Sequence, residues 1–285
     1  MMLFVKNTVT LGKDCMLRVC VVLVLCVSLA YSDELAAFYA MGDTPYAPED
    51  HALLVAQLYN MPSDALFAVH LGDIKAGASE CTETVYYRAA EYLRTSRLPL
   101  FIVPGDNEWN DCKDPAAAWT FWDRYLMHFD RHWADAPQAE RHPERDDLFA
   151  FFHQGVLFVG VNVVGGRVHD TDEWKRRHAL CAAWIDAQVA RYGSAINRLV
   201  ILGHATPTEK HAHFFSEVER IATDLDRPVL YIHGDGHTWQ HAPLFEQADV
   251  LRVQVDQGGK APPVRVGITD DDAEPFVFDR RLPGR

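Results

Sequence analysis

Five apolar stretches of this chain end in the same way, and that repetition restricts what it can fold into. AFYAMGD, FAVHLGD, LFIVPGD, LVILGH and VLYIHGD close on Gly42-Asp43, Gly72-Asp73, Gly105-Asp106, Gly203-His204 and Gly234-Asp235. Each run is short and rich in β-branched and aromatic residues, as buried strands are. Helical patterns separate them at 48–61, 82–96, 114–129, 172–191 and 209–225. Strands alternating with helices predict an α/β fold with parallel strands. In such sheets ligands bind outside the carboxyl ends of the strands, so residues at neighbouring ends converge. The glycines let the backbone turn sharply there and approach a ligand closely.

Asp43, Asp73, Asp106 and Asp235 would meet at that edge with His204 and with His237, which follows Gly236. Four carboxylates at the rim of a core repel one another unless cations sit among them. Oxygen and imidazole donors without thiolates suit Mn, Fe, Zn or Mg. Four carboxylates exceed what one tetrahedral zinc takes. Two metals about 3.5–4 Å apart, sharing a bridging carboxylate, would use them all.

The rest of the chain fits one exported domain. The N-terminal run Val19–Ala30 is apolar, Arg18 precedes it, and Ala30-Tyr31-Ser32 places small residues at the cleavage positions. It reads as a signal peptide over 1–32, with a possible start at Met16, followed by a single domain over 33–285. The run is too short for a stable membrane anchor, which takes about 20 residues. The expected localisation is secreted or periplasmic. Three of the six cysteines lie in this leader. Of the others, Cys81 and Cys112 each follow a proposed site loop and are the expected disulfide. Cys181 lies in an apolar helical pattern and reads as a buried free thiol. A net charge of −13 argues against a nucleic-acid backbone or an anionic membrane as partner. Residues 131–147 read as a loop, 148–164 as two strands about Gln154-Gly155. VLRVQVD, VRVGITD and FVFDRRL read as antiparallel strands at the C-terminal end.

The order of these motifs resembles the calcineurin-like metallophosphoesterases, whose motifs run D-x-H, G-D, G-N-H-D/E, a lone H and G-H-x-H. Here they read Gly42-Asp43-Thr44-Pro45, Gly72-Asp73, Gly105-Asp106-Asn107-Glu108, His204 and Gly234-Asp235-Gly236-His237. GDIKAG, PGDNEW-DC and HGD-H look like a divergent branch of that family. The resemblance implies a four-layer α/β/β/α sandwich. It implies two divalent metal ions (Mn, Fe, Mg or Zn, with the extra carboxylates favouring Mn) and hydrolysis of a phosphorylated small molecule or related ester by a metal-bridging hydroxide. By position, Asp73 would bridge, Asp43 and His237 would hold the first metal, and Asp106, His204 and Asp235 the second. An alternative register puts Asn107 on the second metal and His233 in place of Asp235.

Two departures bear on activity. Pro45 stands where a ligand His is usual, and Tyr46 or water could fill the vacancy. Asn107 stands at the position of the general-acid His, and an amide cannot donate a proton in that sense. A non-catalytic metal- or ligand-binding member of the same fold is therefore the alternative reading. Lys75, two residues beyond Asp73, could bind a phosphate oxygen. Glu108 would orient a ligand or cap a turn, Asn162 could touch substrate, and His241 could supply a proton. His211 and His213 form a further, weaker candidate pair.

Overall fold

The computed structural model describes residues 33–282. The proposed signal peptide, 1–32, lies outside them. Twelve strands and five α-helices follow in the order β1 (Glu34–Met41), α1 (Pro48–Tyr59), β2 (Phe67–His70), α2 (Glu83–Leu93), β3 (Leu100–Ile102), α3 (Pro115–Leu126), β4 (Glu140–His142), β5 (Arg145–His153) and β6 (Val156–Gly160). The second half continues with α4 (Thr171–Tyr192), β7 (Arg198–Leu202), α5 (Ala212–Leu225), β8 (Val229–His233), β9 (Gln240–Pro243), β10 (Val250–Gln254), β11 (Val264–Thr269) and β12 (Phe276–Asp279).

The strands form two sheets, a five-stranded one in the order β12-β11-β1-β2-β3 and a seven-stranded one in the order β4-β5-β6-β7-β8-β10-β9. β1, β2 and β3 are parallel, as are β6, β7, β8 and β10. The period-2 alternation of strand side chains divides three apolar layers. Phe38, Ala40, Val69, Phe101, Phe158, Val200 and Leu230 meet between the sheets. Tyr39, Met41, Ala68 and Leu100 face outward beneath α1, α2 and α3. Leu157, Val159, Leu199 and Ile201 face the other way, beneath α4 and α5. The result is the four-layer α/β/β/α sandwich, with phenylalanines at its centre; Phe67 lies edge-on to Phe158 at 5.2 Å and to Phe151 at 5.3 Å.

Several local readings need correction. The 131–147 segment is not only a loop, because β4 pairs antiparallel with β5 across it. β10 is not antiparallel to its inner neighbour: it runs parallel to β8, and the short exposed β9 forms the antiparallel edge. Nothing in a lone VLRVQ run distinguishes these pairings, since both bury the same face. β11 and β12 are antiparallel as expected. No helix among the described residues is long and apolar enough to cross a membrane.

Candidate metal centre

The chain leaves β1, β2 and β3 of one sheet, and β7 and β8 of the other, at the same edge of the sandwich. Asp43, Asp73, Asp106, His204 and Asp235 lie just past those ends. Asp43, Asp73 and His204 each offer a ligand atom within 4.8 Å of the others, and so do Asp106, His204 and Asp235. The first three are fully buried or nearly so.

The backbone achieves this convergence differently from the expectation. Of the five strand-end glycines only Gly72 has a positive φ, +87°. The aspartates themselves turn: Asp43, Asp73 and Asp235 sit at φ 57°, 62° and 66°, and His237 at 63°. Asp is among the few residues that tolerate this left-handed region, and side chains held there cluster at functional sites. The glycines serve close approach instead. A Cβ at Gly105 would lie 2.2 Å from the Asp73 amide nitrogen, and one at Gly234 2.6 Å from Asp43 Oδ2. Gly165, in the loop after β6, was not foreseen; its Cβ would lie 2.7 Å from Asp106 Oδ1 and 2.8 Å from Asp235 Oδ1.

Glu108 is buried and fixes the turn. Its carboxylate accepts from Gly105 N at 2.6 Å and from Asp73 N at 3.1 Å, so it caps rather than faces the cluster. The Cys81–Cys112 disulfide forms, joining the segment beyond Asp73 to the end of the Asp106–Asn110 turn. Cys181 is a free, buried thiol, as expected. Arg177 lies between Trp109 and Trp174, 5.0 and 5.1 Å from their ring centres, and anchors the same turn from behind.

His204 stands at the middle. Its Nε2 is 3.0 Å from Asp106 Oδ1 and 3.4 Å from Asp73 Oδ1, while Nδ1 meets the Leu71 carbonyl at 2.6 Å. Burial works against its imidazolium, but Asp73 and Asp106 outweigh that and hold its pKa well above the ordinary value. Burial, reinforced by Asp106, Glu108 and Asp43, pushes Asp73 far above the usual carboxylate range. Asp43 Oδ2 is buried with no hydrogen-bond partner. Excess buried carboxylate, an orphaned oxygen and a single neighbouring imidazole make a donor set that a divalent cation fits.

His237 and Tyr46 form the outer half. His237 Nε2 lies 3.3 Å from Asp43 Oδ1, yet His237 is exposed and belongs to neither triad. The Tyr46 hydroxyl donates to Asp73 Oδ2 at 2.7 Å and is 3.3 Å from Asp43 Oδ1, 3.4 Å from His237 Nε2 and 3.2 Å from Asn107 Nδ2. It touches all three residues that the sequence resemblance assigns to the first metal. Burial and the Asp73 and Asp43 charges raise its pKa strongly.

Other candidates are placed elsewhere. Asn107 donates its amide to Asp73 and Tyr46. Lys75 is buried and its ammonium donates to the carbonyls of Ala76 and Asn107 at 3.0 and 2.8 Å; burial lowers its pKa. His233 does not replace Asp235: its Nδ1 meets the Gly234 carbonyl and its Nε2 accepts from Arg252, and burial lowers its pKa to about 3. Asn162 is buried against Asp147 and Arg177 rather than facing substrate. His241 lies on β9 beside Trp239 and Phe278. His211 packs on Trp174 and meets the Val164 carbonyl, while His213 is exposed, so the pair does not converge. Thr206, whose amide donates to Asp235 Oδ2 at 2.9 Å, carries no sequence signal.

No protein-family model matches the sequence, and no curated protein does. Solved structures do match the fold. A purple acid phosphatase from yellow lupin seeds superposes with a TM-score of 0.56 and 10% identity, over 90% of this chain and 53% of its own. A 5'-nucleotidase from Candida albicans gives 0.52 and 12%, over 87% of this chain and 52% of its own. This chain thus spans about half the length of those two enzymes. GAP50, the anchor in the inner membrane complex of Plasmodium, gives 0.53 and 10%, over 87% of this chain and 89% of its own. The fold is that of the calcineurin-like metallophosphoesterases.

Proposed function

We propose that the protein is a metal-dependent phosphoesterase. The observation that carries this is the convergence of Asp43, Asp73, Asp106, His204 and Asp235, all but Asp235 buried, with Asp43 Oδ2 unpartnered. Asp106, His204 and Asp235 would hold one divalent cation, Mn by preference. Asp43 and Asp73 would hold a second, completed by His237 and the Tyr46 hydroxyl in place of the missing histidine at 45. Bound there, divalent cations supply Lewis-acid stabilisation of phosphoryl oxygens and a water of lowered pKa.

The chain's own residues do the rest. His204, held by the Leu71 carbonyl, and Glu108, held by two backbone amides, keep the donors fixed, which is the preorganisation that electrostatic catalysis needs. The Asn107 amide, which donates to Asp73 and Tyr46, cannot supply a proton to the leaving group. Leaving groups that depart as weak bases are therefore the expected substrates. The disulfide supports export to an oxidising compartment, secreted or periplasmic.

A non-catalytic reading has its own support. Pro45 and Asn107 remove two groups the resemblance leads one to expect, and a protein described as an anchor shares the fold. Elemental mass spectrometry of the purified protein, with hydrolysis of p-nitrophenyl phosphate and its diester in Mn, decides between them. Bound metal with turnover that Asp73→Asn abolishes supports the enzyme. Bound metal without turnover supports the binding protein, and no metal even after reconstitution with Mn overturns the enzyme and leaves the ligand-binding reading in the lead.

A further inference from the structure

Beside the acidic cluster lies a cavity of the opposite character. It measures about 130 Å³ and is lined by Pro45, Tyr46, His51, Lys75, Arg88 and Tyr92, from the loops after β1 and β2 and from α1 and α2. Tyr46 belongs to both places, because its hydroxyl touches Asp43 and Asp73.

We infer that this cavity receives a second anionic group, a carboxylate or a phosphate, on the leaving group of the phosphoester. The inference rests on the phosphoesterase reading of the neighbouring cluster. Lys75 is only 3% exposed, and its ammonium spends two of its three N–H groups on Ala76 O and Asn107 O. A buried ammonium with a donor left over is costly unless an acceptor meets it. Arg88 is uncommitted: Arg94 pairs with Glu91 and Arg124 with Glu83 nearby, while Arg88 joins no ion pair among the described residues. Its guanidinium suits bidentate recognition of a carboxylate or phosphate. Pockets for whole drug-sized ligands run about 300–1,000 Å³, so this one takes a single compact group. Lys75 also links the two places, since it holds the carbonyl of Asn107, whose side-chain amide bonds Asp73.

Calorimetry on the Mn-loaded protein with propylphosphonate, 3-phosphonopropionate and propane-1,3-diphosphonate tests this. Both ligands with an anionic tail are expected to bind about tenfold more tightly than propylphosphonate, the size of one charge-assisted hydrogen bond. Whichever tail gains more identifies the carboxylate or the phosphate as the preferred group. Arg88→Ala, at an exposed position, is expected to cut the gain to about threefold or less, and Arg88→Lys to restore part of it. Equal binding of all three ligands, or an undiminished gain in Arg88→Ala, overturns the subsite while propylphosphonate binding upholds the phosphoester site. If neither inorganic phosphate nor any phosphonate binds, the subsite and the phosphoester site fall together.

Discussion

Asp73→Asn separates a metal centre from a mere cluster of acids, because the two predict different signs with and without cation. In the metal-free protein Asp73 is 3% exposed and accepts from Tyr46 Oη at 2.7 Å and from Asn107 N at 3.0 Å. Burial, then Asp106, Glu108 and Asp43, raise its pKa well above the ordinary value. A raised acid pKa means the native state favours the protonated form, so its stabilising contribution is full at low pH and lost as pH rises through the folded value. Wherever it is ionised, the buried side chain is a burden of up to several kcal/mol, against about 1.5–3 kcal/mol for a lost charge-assisted hydrogen bond. The neutral Asn should therefore leave the metal-free protein as stable as wild type, or more so. Cation reverses the order. At Mn concentrations near 100 times Kd the wild type gains about 2.7 kcal/mol, which for a domain of this size is about 5–11 °C in Tm. The variant should gain less than about 2 °C at the same Mn concentration, because its affinity falls. Thermal melts of both proteins, in chelator and in Mn, read all four values. An equal Mn shift in the variant refutes Asp73 as a ligand. A metal-free variant melting many degrees below wild type would make Asp73 structural.

Two further outcomes follow from the surroundings of the site. The Cys81–Cys112 bridge closes a separation of 31 residues, worth about 3–4 kcal/mol in chain entropy, so Cys81→Ala with Cys112→Ala should lower Tm by about 7–14 °C; an unchanged melt would refute a stabilising role. His178 is buried with Nε2 unpartnered, and burial, then Arg177, lowers its pKa to about 3. A depressed histidine pKa lets the unfolded chain take a proton the native one refuses, so stability is lost as pH falls below about 6.5. Relative to wild type, His178→Phe should gain about 2 kcal/mol between pH 8 and pH 5. Parallel Tm-against-pH curves for the two proteins would show that His178 does not carry that dependence.

The strand ends were legible because two constraints coincide in the sequence. An apolar run must stop where the sheet stops, and a carboxylate placed there needs a reason. Thus Asp43, Asp73, Asp106, His204 and Asp235 group together on sequence grounds, and their ligand atoms do form two triads that share His204. What the sequence conceals is direction. Nothing in VLYIHGDGH reveals that His233 turns back to Gly234 and Arg252 while Asp235 turns inward. The left-handed aspartates were invisible for a related reason: a Gly-Asp pair invites the turn to be assigned to glycine, whereas burial of the carboxylate requires Asp to make it. Gly165 and Thr206 carry no motif of their own: Gly165 reaches Asp106 only where the two sheets face each other, and Thr206 reaches Asp235 because β7 and β8 are neighbours in one sheet. β4 and β9 were missed because short, polar edge strands lack the apolar alternation by which strands are read.

The two departures from the resemblance, Pro45 and Asn107, turn out to be one. In the sequence they lie far apart and read as separate losses. In the structure the Tyr46 hydroxyl, next to Pro45, stands 3.2 Å from the Asn107 amide, and both contact Asp73 Oδ2. The half of the centre around Asp106, His204 and Asp235 keeps an imidazole between carboxylates. Where the resemblance leads one to expect two imidazoles, the other half has a phenol and an amide that bond each other. A random loss of function would not be expected to leave complementary donors in contact at a buried carboxylate, where each unpaired polar group costs about 1–3 kcal/mol. On the proposed phosphoesterase reading, the Tyr46–Asn107 pair makes this half of the site a single hydrogen-bonded unit around Asp73. It also places the changed half on the side of Tyr46, where the Lys75 and Arg88 cavity begins.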